Sequence, residues 1–421
     1  MKSKDKLVFI ILSILIVIFP LHRLVTYTIN ALGVTDSFLF DINKVYFLWF
    51  SLPFLAGIYI VRILKNEYKV TIFDYLSYIL LILGLITSLF AVNKYVSIFG
   101  TKYRDEGLIS IYTYIFIFLN AKNIKDKKVI KNLINIFLIS TLIQSVYALL
   151  QVCTNLSFIR HYSIHYMASG LSGNPNFLGS SLVLAITISS IYFLSSRKYR
   201  YLLLSGMYMM GITFASSTGP FLTVIILYIL LIYYLVIKKY NVTDYLIILL
   251  FLVLVFLASS KLIDVTHKTV NIEPNYNISE EIKAIASDNT ATTSNYTFAN
   301  DRVGLWKSAL PLAKKYLIVG AGFDNFMYVY PYQSNLLTYD KAHNIYLETL
   351  ICSGGLYLVV YLLLCALLVI KYFKIKNDLL IAVFLAFITY SIQGFANINV
   401  IDICFIFWMI MGFVNRLGES N

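Results

Sequence analysis

Long apolar blocks separated by short polar connections restrict the fold of this chain more than any other feature. Examples are residues 7–19, 46–63, 72–91 and 246–258. An α-helix of about 20 apolar residues crosses the hydrocarbon layer of a membrane. With 59% hydrophobic and 13% charged residues, the chain has about half the charge density of a soluble protein. The pattern predicts an all-α integral membrane protein, because lipid does not tolerate unpaired backbone groups.

We predict about 12 transmembrane helices and one large extracytoplasmic loop, near residues 262–342, that contains short helices, including one near residues 279–286. The predicted spans lie near residues 7–25, 45–64, 71–92, 107–121, 129–152, 176–196, 199–217, 219–238, 243–261, 343–371, 377–395 and 398–415. Within the tenth span, Gly354-Gly355 is expected to be a packing or kink position. Residues 1–261, with helices 1 to 9, the loop, and residues 343–421, with helices 10 to 12, are expected to form a single membrane domain.

The basic residues predict the orientation of the chain. Twenty of the 34 lie at one side of the predicted spans, six lie in short connections at the other side, and eight lie in the long loop. Short cytoplasmic loops carry the excess of lysine and arginine. We therefore expect both termini in the cytoplasm and the long loop outside it. The net charge of +13 is thereby explained as an orientation signal, and no nucleic-acid partner is expected.

The unusual polar residues then gather at the outer face of the membrane. Arg104, Asn174, Asn176, Arg302 and His343 all lie at or near this face in the predicted topology. The sequence has no phosphate-binding loop and no dinucleotide-binding unit, so we expect a substrate that arrives already activated. The cysteines and histidines show no zinc-site spacing, and the outer loops have no Asp-rich motif. We expect no metal and no cofactor.

His343 is the strongest candidate for chemistry. Taken alone, a histidine at a helix start is often only a capped or interfacial side chain. Asp340, however, is expected to cap a helix that begins near Lys341. Because the positive end of a helix disfavours an imidazolium, His343 should stay neutral at physiological pH. A neutral imidazole is what a general base requires.

Arg302 is the second candidate. Asn300 or Asp301 is expected to cap a helix that begins at Arg302 and carries Trp306 one turn later, with a bend or restart at the following proline. The ordinary interpretation of Arg302 is a surface ion pair with Asp301. The functional interpretation is a guanidinium that binds phosphate in bidentate fashion. Arg104 offers the same chemistry on another outer connection.

Asparagines and tyrosines near the outer face are weaker candidates. Asn174 and Asn176 flank a proline at the start of the sixth span, where turn chemistry alone is enough to explain them. Their functional interpretation places both amides in a substrate cavity. Tyr330, Tyr332 and Tyr346 have the aromatic rings needed to stack on sugars, although aromatic residues are also common at membrane interfaces.

Taken together, these elements resemble the O-antigen ligase and polymerase superfamily of bacterial membrane glycosyltransferases. The matching elements are residues 100–107, Gly173-Asn174-Pro175-Asn176, Asp301-Arg302 with Trp306, residues 320–325, and Ala342-His343-Asn344 with Leu347 and Gly354-Gly355. The resemblance implies transfer of a glycan from an undecaprenyl-diphosphate carrier to a hydroxyl of a glycan, lipid or protein acceptor. The implied reaction would take place at the outer face of the bacterial plasma membrane, without a nucleotide sugar or a metal.

The resemblance also implies roles for individual residues. His343 would activate the acceptor and Arg302 would bind the diphosphate. Substrate-binding residues would be Arg104, Asn174, Asn176, Asn344, Trp306 and Tyr332. In one position the sequence departs from the family, because Thr218 stands where many members have an arginine.

Several functions remain open at this stage. The leading hypothesis is a polysaccharide polymerase or ligase, and a protein O-oligosaccharyltransferase differs from it only in the acceptor. A flippase or other transporter of lipid-linked sugars is the alternative from another class. Transporters place charged residues near the middle of the membrane, whereas here the polar residues cluster at one face. A catalytically silent scaffold or sensor is the third alternative.

Overall fold

The computed structural model describes residues 3–31, 38–102, 104–153, 167–269, 298–330, 339–372 and 377–419. These residues form 16 α-helices and one 3-10 helix, and they contain no strand. The predicted all-α fold is therefore confirmed. The short helix predicted near residues 279–286 and the side chain of Tyr332 lie outside the described residues.

The helices are numbered here in chain order. The first eight are α1 (Ser3–Ala31), α2 (Phe38–Leu64), α3 (Ile72–Leu89), α4 (Lys94–Phe99), α5 (Leu108–Ala121), α6 (Lys127–Cys153), α7 (Pro175–Ser196) and α8 (Tyr199–Ala215). The others are α9 (Thr218–Lys238), α10 (Val242–Thr269), α11 (Phe298–Lys315), α12 (Phe326–Val329), α13 (Ile345–Ser353), α14 (Gly355–Tyr372), α15 (Asp378–Gln393) and α16 (Ile401–Glu419), with the 3-10 helix Gly394–Ala396 after α15.

Ten of these helices are long and apolar enough to cross a membrane. They are α1, α2, α3, α6, α7, α9, α10, α14, α15 and α16. The remaining two predicted spans coincide with α5, which has 14 residues, and α8, which has 17. The chain is a polytopic membrane protein.

The prediction of a single span at residues 343–371 is wrong, because this segment forms two helices, α13 and α14. Gly354 ends α13 with φ +89°, and α14 starts at the next residue. A Cβ atom on Gly354 would lie 2.7 Å from the Ile318 carbonyl oxygen, so only glycine fits this close backbone approach. The amides of Ala321 and Gly322 donate to the carbonyls of Ile351 and Cys352, both at 2.9 Å. The end of α13 is therefore stabilised by the chain segment that follows α11.

The most buried span is α7, which packs against α6, α8, α9 and α15. Six of its 22 residues are serine, and it also has one threonine, one alanine and one glycine. Small residues let neighbouring helices approach closely. At Gly179 a Cβ atom would overlap the ring of Pro220 on α9. The N-terminal ends of α7 and α9 are thus brought together at the same end of the bundle, where α5, α13 and α16 also begin.

Candidate active site

His343 lies in the loop that leads into α13. Asn344 is the N-cap of this helix, and its side-chain oxygen accepts hydrogen bonds from the amides of Tyr346 and Leu347, both at 3.0 Å. The prediction that Asp340 caps a helix starting near Lys341 is therefore wrong. Asp340 does not act as a cap, because its carboxylate is paired with Arg104 instead.

The peptide groups before His343 are held on both sides. The amide of Ala342 donates to Glu348 Oε2 at 3.2 Å, and the Trp306 indole Nε1 donates to the Ala342 carbonyl at 3.0 Å. His343 itself has φ +50°, a left-handed conformation that costs about 1 kcal/mol or more and persists only where neighbours hold it. Trp306 and Glu348 therefore fix the backbone from which the imidazole projects.

Helix α11 brings Trp306 and Arg302 to this loop. Leu305, Ala309 and Ala313 recur at helical spacing and pack in a small separate core that also contains Ala342 and Ile351. Arg302 and Trp306 are one turn apart on an adjacent face of α11. The helix begins at Phe298 and continues through Pro311 to Lys315, so the predicted start at Arg302, with its cap, and the predicted restart at the proline are wrong.

Substitution of Trp306 by phenylalanine tests the positioning of His343. The variant keeps the aromatic packing but leaves the Ala342 carbonyl without its indole donor, so the free energy of unfolding should fall by about 1 kcal/mol. Any activity that depends on His343 should fall as well, because the backbone before His343 is held from one side only. Trp49→Phe is a matched control, since its indole donates to Ser110 Oγ at 2.8 Å and does not contact this loop. Equal activities of the two variants would contradict the positioning role of Trp306.

The imidazole of His343 is neutral near physiological pH. Burial, together with the positive charge of Arg302, lowers the pKa of His343 to about 4, with smaller contributions of the same sign from Arg104 and Lys341 and an opposing one from Asp340. The predicted neutral state therefore agrees with the geometry. The cause differs from the predicted one, because burial and neighbouring cations act here and His343 precedes the helix N-cap.

Arg302 is buried and connects α11 with the segment between α15 and α16. Its Nη1 donates to the carbonyl of Ala396, the last residue of the 3-10 helix. Its positive charge lowers the pKa of His343. The two predicted catalytic side chains therefore lie in one site. The site therefore contains a buried cation that is close enough to lower the pKa of a neutral imidazole.

Arg104 joins the same site from the connection before α5. Its guanidinium is 2.5 Å from Asp340 Oδ2 and its central carbon is 5.7 Å from the centre of the Phe177 ring. Phe177 directly follows Asn176 near the start of α7. The contacts bring residues 100–107, the loop before His343 and the start of α7 together.

The two predicted asparagines organise the starts of α7 and α9. Asn174 is the N-cap of α7 and accepts from the Asn176 amide at 2.8 Å. Asn176 Oδ1 accepts from Ser217 Oγ at 2.6 Å, and Ser217 is the N-cap residue of α9. The sequence did not single out Ser217. Thr218, where many relatives have an arginine, is the first residue of α9.

Three helix N-termini, those of α7, α9 and α13, thus begin around this site. The first amides of a helix have no partner within the helix and carry a partial positive charge. Such ends favour anionic ligands. Together with Arg302 and Arg104 they make the surroundings of His343 suited to a phosphate-bearing substrate.

A buried charged cluster lies next to the loop of His343, and sequence reasoning missed it. Lys341 Nζ is 2.6 Å from Asp324 Oδ1 and 2.7 Å from Glu348 Oε1. Thr101 donates to Asp324 from its amide and its hydroxyl, at 2.6 and 2.8 Å. Thr101, Asp324 and Lys341 thus connect the loops before α5, α12 and α13.

The fourth member of this cluster is Glu106, which lines a cavity of about 60 Å³ with the other three. Its Oε1 accepts from the Tyr114 hydroxyl at 2.8 Å, and burial raises the pKa of Glu106 to about 8 against the opposing effect of Lys341. Burial lowers the pKa of Lys341, but Asp324, Glu348 and Glu106 outweigh burial and raise this pKa well above its ordinary value. Lys341 therefore remains a cation.

The described tyrosines near the site take part in packing. Tyr330 stacks on Phe326 with ring centres 5.3 Å apart, and Tyr346 donates to the Ser391 carbonyl at 2.5 Å. The ring of Tyr339 lies edge-on to His343 at 6.2 Å. Stacking of these rings on sugars stays a prediction. Among the described residues, no group of three or more His, Cys, Asp or Glu side chains is arranged to hold a metal ion.

Comparison with known proteins places this geometry in a family. Residues 201–362 match the family model of O-antigen ligase, and this range contains Thr218, Arg302, Trp306 and His343. No curated protein matches the sequence. The match to this family implies a glycosyltransferase, and the family implies lipid-linked glycans as substrates. The chain is thus a multi-span membrane protein with ten candidate spans, and it contains a domain that matches the O-antigen ligase family over residues 201–362.

Proposed function

We propose that this protein transfers a glycan from an undecaprenyl-diphosphate carrier to an acceptor hydroxyl at the outer face of the membrane. The proposal rests on a neutral His343 near the buried Arg302. The backbone before His343 is held by the hydrogen bond from Trp306. His343 would take a proton, and Arg302 would stabilise an anion. Transfer from a diphosphate needs both.

The proposed step is a displacement at the anomeric carbon of the donor glycan. The acceptor oxygen forms the new glycosidic bond while the bond to the diphosphate breaks, and the hydroxyl proton passes to His343 and then to water. Undecaprenyl diphosphate leaves as an anion. Arg302 and the N-termini of α7, α9 and α13 would stabilise the negative charge that develops on it.

Arg104 and the asparagines are assigned supporting roles. Arg104 is paired with Asp340, so it would contribute to diphosphate binding by sharing its guanidinium between the carboxylate and the substrate. Asn174 and Asn344 use their side-chain oxygens as helix caps. The caps occupy first-turn amides of α7 and α13, so these two helix ends would act on the diphosphate through their dipoles. At Thr218, the first amides of α9 would take the place of the arginine found in many relatives.

The proposed orientation follows from the positions of the basic residues. Arg104, Arg302 and His343 lie in one site at the start of α5, α7 and α13, and twenty lysines and arginines lie on the opposite side of the spans in the topology predicted from the sequence. The positive-inside rule then places both termini in the cytoplasm and the active face outside. Because no nucleotide sugar is needed in this scheme, the proposed donor is a lipid-linked glycan already on the outer side.

The acceptor distinguishes the remaining functions. A polymerase or ligase would use a growing glycan or a lipid, and a protein O-oligosaccharyltransferase would use a protein hydroxyl. A flippase would move the lipid-linked glycan without a bond change. The arrangement of a base, a buried cation and three helix ends at one face favours transfer over transport.

Reconstitution tests the proposed reaction. Purified protein in liposomes, supplied with an undecaprenyl-diphosphate-linked oligosaccharide and an acceptor, should form a glycosidic product and release undecaprenyl diphosphate. Arg302→Gln should lower the transfer rate about a hundredfold, because one charged donor to the leaving group is lost. Lys307→Gln, an exposed lysine on the same helix, is the matched control. Movement of the donor across the bilayer without product would instead support a transporter.

A further inference from the structure

A second polar cavity lies at the opposite end of the bundle from His343. It has a volume of about 280 Å³ and is lined by Lys4, Asp5, Arg62, Glu67, Tyr68, Asn123 and Lys125. These residues come from the start of α1, the end of α2 with the turn after it, and the connection between α5 and α6. Since α5 runs from the candidate site to this connection, its 14 residues separate the two sites by about 21 Å.

Arg62 supplies an unsatisfied donor to this cavity. Its side chain is 3% exposed, and its Nη2 donates to Asp5 Oδ1 at 2.7 Å. Its Nη1 is buried and has no hydrogen-bond partner among the described residues. A buried charged donor without an acceptor is costly and uncommon in folded proteins. We therefore expect a ligand in this cavity to supply the acceptor for Arg62 Nη1.

The charge of the cavity selects an anion. Three basic side chains and two carboxylates line it, which gives a net charge of +1. Both carboxylates are already paired, Asp5 with Arg62 and Glu67 with Lys4. Lys125 Nζ donates to the Glu67 carbonyl at 2.9 Å and remains exposed. Five more exposed lysines lie within three residues of the lining, at positions 6, 65, 69, 127 and 128.

The surroundings of the cavity place it at a membrane surface. Leu7 and Leu64 flank its lining on α1 and α2 and are exposed apolar side chains, as expected where a span faces lipid. Basic cavities between transmembrane helices at the cytoplasmic surface bind the phosphate-bearing head groups of anionic lipids. Arginine suits this task because its planar donor fork matches phosphate oxygens.

We propose that this cavity binds a phosphate group, with Arg62 as its buried donor and Lys125 and Lys4 at its entrance. The phosphate is that of an anionic lipid head group or a free phosphate ion. The site is distinct from the proposed diphosphate site, and it holds whether or not His343 transfers a glycan.

Binding of soluble lipid by the purified full-length protein tests the site. Dioctanoyl phosphatidylglycerol should bind saturably, and dioctanoyl phosphatidylcholine should bind more weakly because its head group has no net charge. Arg62→Lys keeps the charge and a donor to Asp5 but removes the second guanidinium nitrogen, so it should weaken binding about tenfold. Lys125→Gln, an exposed position with little influence on folding, should weaken binding as well. Lys131→Gln, an exposed lysine on α6, should bind like the unchanged protein.

Inorganic phosphate distinguishes the two sources of the ligand. Displacement of phosphatidylglycerol by millimolar phosphate supports a site for the phosphate group itself, whereas phosphatidylglycerol binding that resists phosphate supports a lipid head-group site. Binding of phosphate alone supports a free-ion site. The proposal is overturned if neither ligand binds saturably, or if Arg62→Lys and Lys125→Gln bind both ligands as well as Lys131→Gln does.

Discussion

Replacement of His343 by alanine is expected to lower kcat/KM for glycan transfer about a thousandfold, because a positioned general base contributes roughly 10²- to 10⁴-fold to such reactions. The His343→Gln variant separates two roles of the imidazole. Glutamine retains a hydrogen-bonding side chain that can orient the acceptor, but it cannot take its proton. Loss of activity in both variants supports a base, whereas substantial activity in His343→Gln supports an orienting role.

The pH dependence provides a second readout of the same residue. The proposed base, His343, could take a proton only when it is deprotonated, and its pKa in the free protein is lowered to about 4. The value of kcat/KM should therefore be constant above pH of about 5 and should fall as the pH drops through about 4. A bound diphosphate adds negative charge next to Arg302 and raises the pKa of the imidazole, so kcat should begin to fall at a higher pH than kcat/KM.

Both profiles should be measured with the reconstituted protein over a range in which its unfolding temperature is constant. Arg302→Gln gives a matched comparison, because loss of the cation beside His343 should move the fall in kcat/KM to higher pH. An inflection near 6.5 in the unchanged protein, or a profile that His343→Gln preserves, would contradict the assignment of His343 as the base.

The membrane spans could be predicted from the sequence because their cause is local. A helix that crosses lipid must be apolar along its own length, so the spans can be located without knowledge of their neighbours. The break at Gly354 is different. The run from Ile345 to Tyr372 is nearly continuous in hydrophobicity, and the helix ends where it does because Ala321 and Gly322 bond to the backbone of α13.

The candidate site could be predicted in part for the same reason. His343, Arg302 and Trp306 were found from short motifs and a family resemblance. The partner of Arg104, in contrast, is Asp340, which is 236 positions away. Asp340 was predicted to cap a helix because the sequence shows only the residues next to it and not those that the fold brings close to it. Lys341 was likewise considered only as a helix start, whereas the fold surrounds it with three carboxyl groups.

Replacement of Lys341 by methionine is expected to have the largest effect on stability. Lys341 is 1% exposed and is the cation for Asp324 and Glu348 in a space that Glu106 also lines. Methionine is similar in shape, but the carboxylates would be left buried without a counter-charge. Removal of one partner from a buried ion pair typically costs about 3–5 kcal/mol. The unfolding temperature in detergent should fall strongly, and the transfer rate should fall too, because Glu348 also holds the Ala342 amide before His343.

The sign of the pH dependence tests the cause of this instability. Burial raises the pKa values of Glu348 and Glu106, and Lys341 opposes this effect. Without Lys341 both pKa values rise further above the unfolded ones, so the folded state binds more protons. The difference in unfolding temperature between the variant and the unchanged protein should therefore shrink as the pH falls from 8 to 5.

Adding Asp324→Asn and Glu348→Gln to Lys341→Met should restore part of the stability at neutral pH, because neutral amides need no counter-charge. Lys307→Met, at an exposed lysine, should unfold like the unchanged protein. A stability loss in Lys341→Met that is independent of pH and unrelieved by the amides would show that packing, rather than charge, makes Lys341 necessary.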